Sequence, residues 1–246
     1  MTTPGSVVLS TLEFDVAWEA ERLPKRNVAL DVPSPGMTYE ERAQYVARAW
    51  ESLEGRGLAS RGRVVPELAD GFALLANPQM SIDIWIKADR SITGVAAASG
   101  DEAILAVIDG EEVWLIEARA TALAEAAVSV AGEMPAGYGR SISAPYEAIT
   151  KASAKAGRNA PDLIMALEEQ GIRLGDAQEL AGMVDGMSVV GQFGVERGGR
   201  RADRVVAFHD NPSGRFLRLL RGDWCTVTPA DNHRLASCIW ELLQEV

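Results

Sequence analysis

Ala103-Ile104-Leu105-Ala106-Val107-Ile108-Asp109-Gly110-Glu111-Glu112-Val113-Trp114-Leu115-Ile116-Glu117-Ala118 is the stretch on which the fold class turns. Two runs of strand-forming residues flank Asp109-Gly110, a dipeptide suited to a tight hairpin because that turn needs positive φ at both central residues. A hairpin makes its two strands antiparallel, whereas a parallel pair needs a crossover of a dozen or more residues. Upstream, Ile82, Ile84 and Ile86 alternate with Asp83, Trp85 and Lys87, the period of a half-buried strand. Residues 92–98 read as a further strand, so four short strands follow one another between 82 and 118.

Outward from these strands the chain reads as helices and turns. Pro66 starts a helix with Leu68, Phe72 and Leu75 on one face, and Asn77-Pro78 stops it. Before it, Thr38 and Glu41 form a capping box, each side chain satisfying an orphaned helix N–H. Tyr39, Ala43, Val46, Trp50 and Leu53 make one apolar stripe behind that box, closed by Gly55 and Gly57. Residues 7–18, rich in β-formers, read as an opening strand. An alanine-rich helix at 121–131 closes this half, and the Pro/Gly-rich Gly132–Gly139 segment looks like a joint.

The second part repeats the order. Helices are expected near 144–156, 161–170 and 176–186, the last opening on an Asp176/Glu179 capping pair. Strands follow at 188–197, 203–210, 215–221 and 223–228, with turns at Asn211-Pro212-Ser213-Gly214 and Gly222-Asp223. Asp231 begins a final helix with Leu235, Ile239 and Leu242 on one face. Glu67-Leu68-Ala69 and Glu179-Leu180-Ala181 occupy matching places in the two runs. The expectation is an α+β protein, one domain with pseudo-symmetric halves 1–136 and 137–246, in which a central, largely antiparallel sheet is flanked by helices.

The chain has 246 residues, 47% hydrophobic and 24% charged, with a net charge of −11. Such a field repels nucleic acid at long range. No stretch approaches the roughly 18 apolar residues of a membrane span, and Met1–Ser6 lacks the basic start and apolar run of a signal peptide. The protein is therefore expected in the cytoplasm, with Cys225 and Cys238 as buried free thiols. Charge is uneven: seven arginines lie between Arg197 and Arg221 against Asp203 and Asp210. That run is either a solvated hairpin face or a surface for an acidic partner.

Apparatus for catalysis is sparse. His209 and His233 sit in no frame that would place two ligands on one helix face, and no C-x-x-C pair accompanies the cysteines. Neither a G-x-S-x-G elbow nor a phosphate-binding glycine loop occurs. Paired acids such as Glu111-Glu112 and Glu168-Glu169 read as solvated charge rather than as a desolvated general acid. No cofactor or metal is expected. Surplus apolar side chains say more: Trp85 on the polar side of its strand, Phe193 and Val195 opposite Gln192 and Glu196, and Met183 with Met187 nearby. Each is core packing, or else part of a groove that accepts an apolar partner.

Several stretches together resemble the EspG family of ESX (type VII) secretion-associated proteins. They are Val8–Trp18, Arg56-Gly57-Leu58 leading to Pro66-Glu67-Leu68, Gly191-Gln192-Phe193-Gly194, Gly214-Arg215, and Trp224–Asp231 before the last helix. The resemblance implies a quasi-two-fold fold with two helical bundles and no enzymatic activity. It also implies a partner: a PPE-like protein in a PE–PPE heterodimer, whose hydrophobic helical tip is held for secretion. Family contacts come from the sheet, the loop between the second and third strands and the C-terminal bundle. Carried over, that loop is Ala88–Ile92, short in this chain, with Lys87, Asp89, Arg90 and Ile92 beside Trp85. The bundle includes Leu163–Met187, and Arg197 joins from the basic run. Two other readings are a self-associating scaffold pairing through a sheet edge and a carboxylate-based hydrolase in a cleft between halves. Whether the free protein is a homo-oligomer is left open.

Overall fold

The computed structural model describes residues 5–157 and 159–246; Met1–Pro4, which open the stretch read for a signal peptide, lie outside it. The chain divides into two compact units. The first holds the chain up to Trp85, Ser91–Ala127 and Glu196–Gly199; the second holds Ile86–Arg90, Val128–Val195 and Arg200–Val246.

In the first unit the order is β1 (Ser6–Ser10), α1 (Thr11–Ala20), α2 (Tyr39–Gly55), β2 (Ala59–Ser60), β3 (Arg63–Val64), α3 (Pro66–Ala76), β4 (Met80–Lys87), β5 (Ser91–Ser99), β6 (Glu102–Asp109), β7 (Glu112–Arg119) and α4 (Leu123–Ser129). β2 and β3 form a small hairpin of their own. The long strands run β1-β7-β6-β5-β4, and β1 with β7, β7 with β6 and β6 with β5 are antiparallel. At Asp109↔Glu112 the hairpin closes with only Gly110 at positive φ, the pattern of a type II′ turn rather than the expected two positive φ values. Phe14, Trp18 and Phe72 meet with ring centroids 5.5–5.8 Å apart and anchor the core.

Residues 11–18 correct the opening strand, which ends at Ser10. There Ser10 Oγ accepts the Glu13 N–H at 3.1 Å and the Glu13 carboxylate accepts the Ser10 N–H at 2.7 Å, a complete capping box that starts α1. The same carboxylate accepts from the Ser52 hydroxyl (2.7 Å) and Arg56 Nη1 (2.9 Å), so one buried acid joins α1 to α2. Burial alone would raise the Glu13 carboxyl, but the Ser10 N–H, the Ser52 hydroxyl and Arg56 outweigh it and hold it below its ordinary value of 4.5. A depressed carboxylate contributes stability that is present above 4.5 and lost as pH falls through its folded value. Glu13→Gln is therefore expected to cost about 2 kcal/mol at neutral pH. In urea unfolding followed at several pH values, the gap to the parent should shrink on acidification below 4.5.

α2 forms as expected behind its Thr38/Glu41 box, but its inner stripe is turned: Ala49 and Leu53 are buried, whereas Tyr39 is 98% exposed.

The second unit contains β8 (Ile142–Pro145), α5 (Tyr146–Ala156), α6 (Ala160–Glu169), α7 (Leu174–Val184), β9 (Val189–Arg197), β10 (Arg200–Arg201), β11 (Val206–Asn211), β12 (Gly214–Arg221), β13 (Trp224–Pro229) and α8 (Asn232–Leu243). Its long strands run β9-β11-β12-β13-β8, with antiparallel pairing along β9-β11-β12-β13-β8. Each unit thus carries a four-strand meander completed by an earlier strand, β1 on β7 and β8 on β13. β8 falls where a helix start was expected. α7 begins two residues before Asp176 without a side-chain cap. Asp176 instead pairs with the Arg140 guanidinium, and Glu179 accepts the Arg140 N–H at 2.9 Å.

The segment read as a joint is fastened to the second unit. Arg215 N–H donates to Pro135 O (2.8 Å) and Gly137 N–H to Arg215 O (2.9 Å). A side chain at Gly137 would place Cβ 2.1 Å from the Phe216 ring, so only glycine admits this approach. Arg215, part of the basic run read as a solvated hairpin face or a surface for an acidic partner, is instead fully buried. It forms a two-pronged pair with Asp210 (2.7 and 2.8 Å), donates to Ala131 O (2.9 Å) and Gly132 O (3.2 Å), and lies over the Phe208 ring.

Candidate functional site

In the second unit, strand alternation and register sort the sheet into two faces. One face carries Phe193, Val206, Phe208 and Leu217, all buried, with Phe193 stacked on Phe208 at 5.7 Å and α8 packed on β11. The opposite face carries Ile142, Ala144, Cys225, Val227 and Phe216, which form a core with α5, α6 and α7. These helices cover β13 and β8, and the end of α7 also packs on β11. Across β12, β11 and β9 the same face continues as Arg218 opposite Ala207 and Ala207 opposite Gln192, with Leu220 opposite Cys225 and Val190 opposite His209.

Here Ala207 and His209 on β11 are buried, while side chains on the flanking β9 and β12 are exposed. Leu220 is 39% exposed, Val190 38%, and Met187, in the turn between α7 and β9, 47%. Gln192 and Arg218 are exposed between them. Beyond the sheet, Met165 and Leu174 add exposed apolar side chains on α6 and α7. A sheet face that exposes apolar groups around a cation is suited to docking another protein.

Below this surface, Asn211 Nδ2 donates to Met183 O (2.9 Å) and His209 Nε2 lies 2.9 Å from the same oxygen, so β11 caps the end of α7. His209 also stacks on Phe216 at 5.3 Å. Burial pushes the His209 imidazole below its ordinary value, the Met183 carbonyl opposing and the Arg218 charge adding. Acid–base chemistry at His209 would want a carboxylate facing it, but Asp210 points to the other face into Arg215. Cys225 and Cys238 are buried free thiols, both pushed up by burial. Among the described residues no three His, Cys, Asp or Glu side chains are placed to hold a metal, and no helix is long and apolar enough to cross a membrane.

The residues expected from sequence divide. Phe193, Val195 and Met183 are at most 1% exposed, which corrects their expected place on an accepting surface: they are core, Phe193 stacking on Phe208 and Met183 packing in the core that α6 and α7 share. Trp85 is half-buried and packs against the core of the first unit. Lys87, Asp89 and Arg90 are exposed at the β4–β5 turn, Ile92 is half-buried, and Arg197 is exposed at the end of β9. Met187 is exposed in the turn that leads into β9, shortly before the exposed Val190 in sequence. Val190, Gln192, Arg218 and Leu220 were missed; their signal was the charge set inside the Phe216-Arg218-Leu220 alternation.

A family model described as the EspG family matches residues 10–241. The chain belongs to the EspG family. No curated protein matches it. Among solved structures this EspG-family chain is similar to one in the structure of the Mycobacterium tuberculosis type VII secretion system chaperone EspG5 in complex with PE25–PPE41 dimer. The TM-score is 0.74 at 13% identity, over 97% of this chain and 95% of that one. At that identity the likeness is one of fold, and it agrees with the α+β, antiparallel architecture expected from sequence.

Proposed function

We propose that this chain is a cytoplasmic, non-catalytic chaperone that binds a PE–PPE-like heterodimer and keeps its apolar helical tip soluble for type VII secretion. The observation that carries the reading is the exposed apolar Val190 and Leu220 on one sheet face of a chain of the EspG family. The relative of the same fold is named as a secretion chaperone in complex with a PE–PPE dimer, which supports the choice of partner. Physically, a substrate with an exposed apolar tip self-associates, and a partner that binds the folded, masked form removes it by mass action. An interface of standard size, about 1,600 Å², suffices without any reacting group.

Co-expression with PE–PPE-like pairs of the same genome, followed by size exclusion, tests this directly. One pair is expected to co-elute with the chain in a stable complex. Separate elution of every pair would overturn the reading.

A further inference from the structure

We propose that Arg218 sets the specificity of the docking face by taking a carboxylate that the partner's apolar tip brings down beside Val190 and Leu220. This rests on the chaperone reading above and narrows its partner to a tip that is apolar and acidic together.

Arg218 pairs with no carboxylate among the described residues, whereas Arg140, Arg204 and Arg215 each hold one. Its row across the sheet offers Ala207 and Gln192, both uncharged. Of the titratable groups that feel its charge, His209 is buried with its proton affinity reduced and Cys225 is a buried thiol held protonated. In a chain of net charge −11, this is a lone cation on an apolar face.

Covering such a face strips water from the guanidinium. A partner with a purely apolar tip would leave that charge buried and unpaired, a penalty that rejects it. A partner with an aspartate or glutamate there meets a planar fork of donors that a carboxylate can accept from in two places. The same residue therefore selects for one class of tip and against another.

The test uses the PE–PPE-like pair that co-elutes with the parent chain, measured by calorimetry at low and high salt. Arg218→Gln is expected to weaken binding by about 30-fold or more and to flatten the salt dependence. Arg218→Lys should fall between the two, and Arg218→Glu should be rescued when one acidic residue of the partner's tip is changed to lysine. Far-UV circular dichroism should be unchanged in each variant, because the side chain is exposed in the free protein. If the parent binds and Arg218→Gln stays within about threefold at every salt concentration, the Arg218 proposal fails while the chaperone reading stands. If no pair binds the parent, both fail.

Discussion

Arg215→Leu is expected to lower the unfolding free energy of the protein by about 3–5 kcal/mol, the cost of removing one partner from a buried ion pair. Asp210 is 2% exposed and its two carboxylate oxygens are both taken by Arg215, so the substitution leaves a negative charge with nothing to neutralise it. The backbone oxygens of Ala131 and Gly132 lose donors at the same time. Arg215→Lys should recover little, since a point charge replaces neither the fork toward Asp210 nor the donors toward the 131–132 carbonyls. The double change Arg215→Leu with Asp210→Leu should be less damaging than the sum of the single ones, because the uncompensated charge is gone. Urea unfolding would measure these differences. Hydrogen exchange should localise the loosening to the segment that Arg215 fastens, Ala131 to Gly137. A loss below about 1 kcal/mol in Arg215→Leu would show that this network is not what holds that segment.

This pair illustrates what was legible in the sequence and what was not. Asn211-Pro212-Ser213-Gly214 was readable as a turn, and a two-residue loop there places Asp210 opposite Arg215. The pairing was thus within reach, but a basic run looks solvated until strand faces are assigned. The faces of β9 were the harder matter. Val190 on one side and Phe193 with Val195 on the other are all apolar, so alternation alone does not tell core from surface. What decides is α8 lying on β11, a long-range contact. Helix starts were legible where caps stood clear, at Thr38/Glu41 and Asp231. The Ser10/Glu13 box was hidden by the β-forming composition around it, and the Asp176/Glu179 spacing mimicked a cap while those acids bind Arg140. The four-strand runs were read correctly because tight turns punctuate them at Gly110 and Gly222.

Val190→Asp combined with Leu220→Asp is expected to reduce affinity for the co-eluting PE–PPE-like pair by about 100-fold or more, while leaving the fold intact. Both side chains are more than one-third exposed in the free protein, so their replacement removes little buried area from the folded state. In a complex they would lie where water is excluded, and two carboxylates there would be desolvated without partners. Phe193→Asp makes the instructive contrast. It too should abolish the complex, but by placing a charge in the core against Phe208, with loss of cooperative unfolding in circular dichroism. The two variants separate an interface from a core defect, since only the first gives a folded protein that cannot bind. A folded Val190→Asp, Leu220→Asp protein that holds its partner as tightly as the parent would move the docking surface off this sheet face, and with it the role assigned to Arg218.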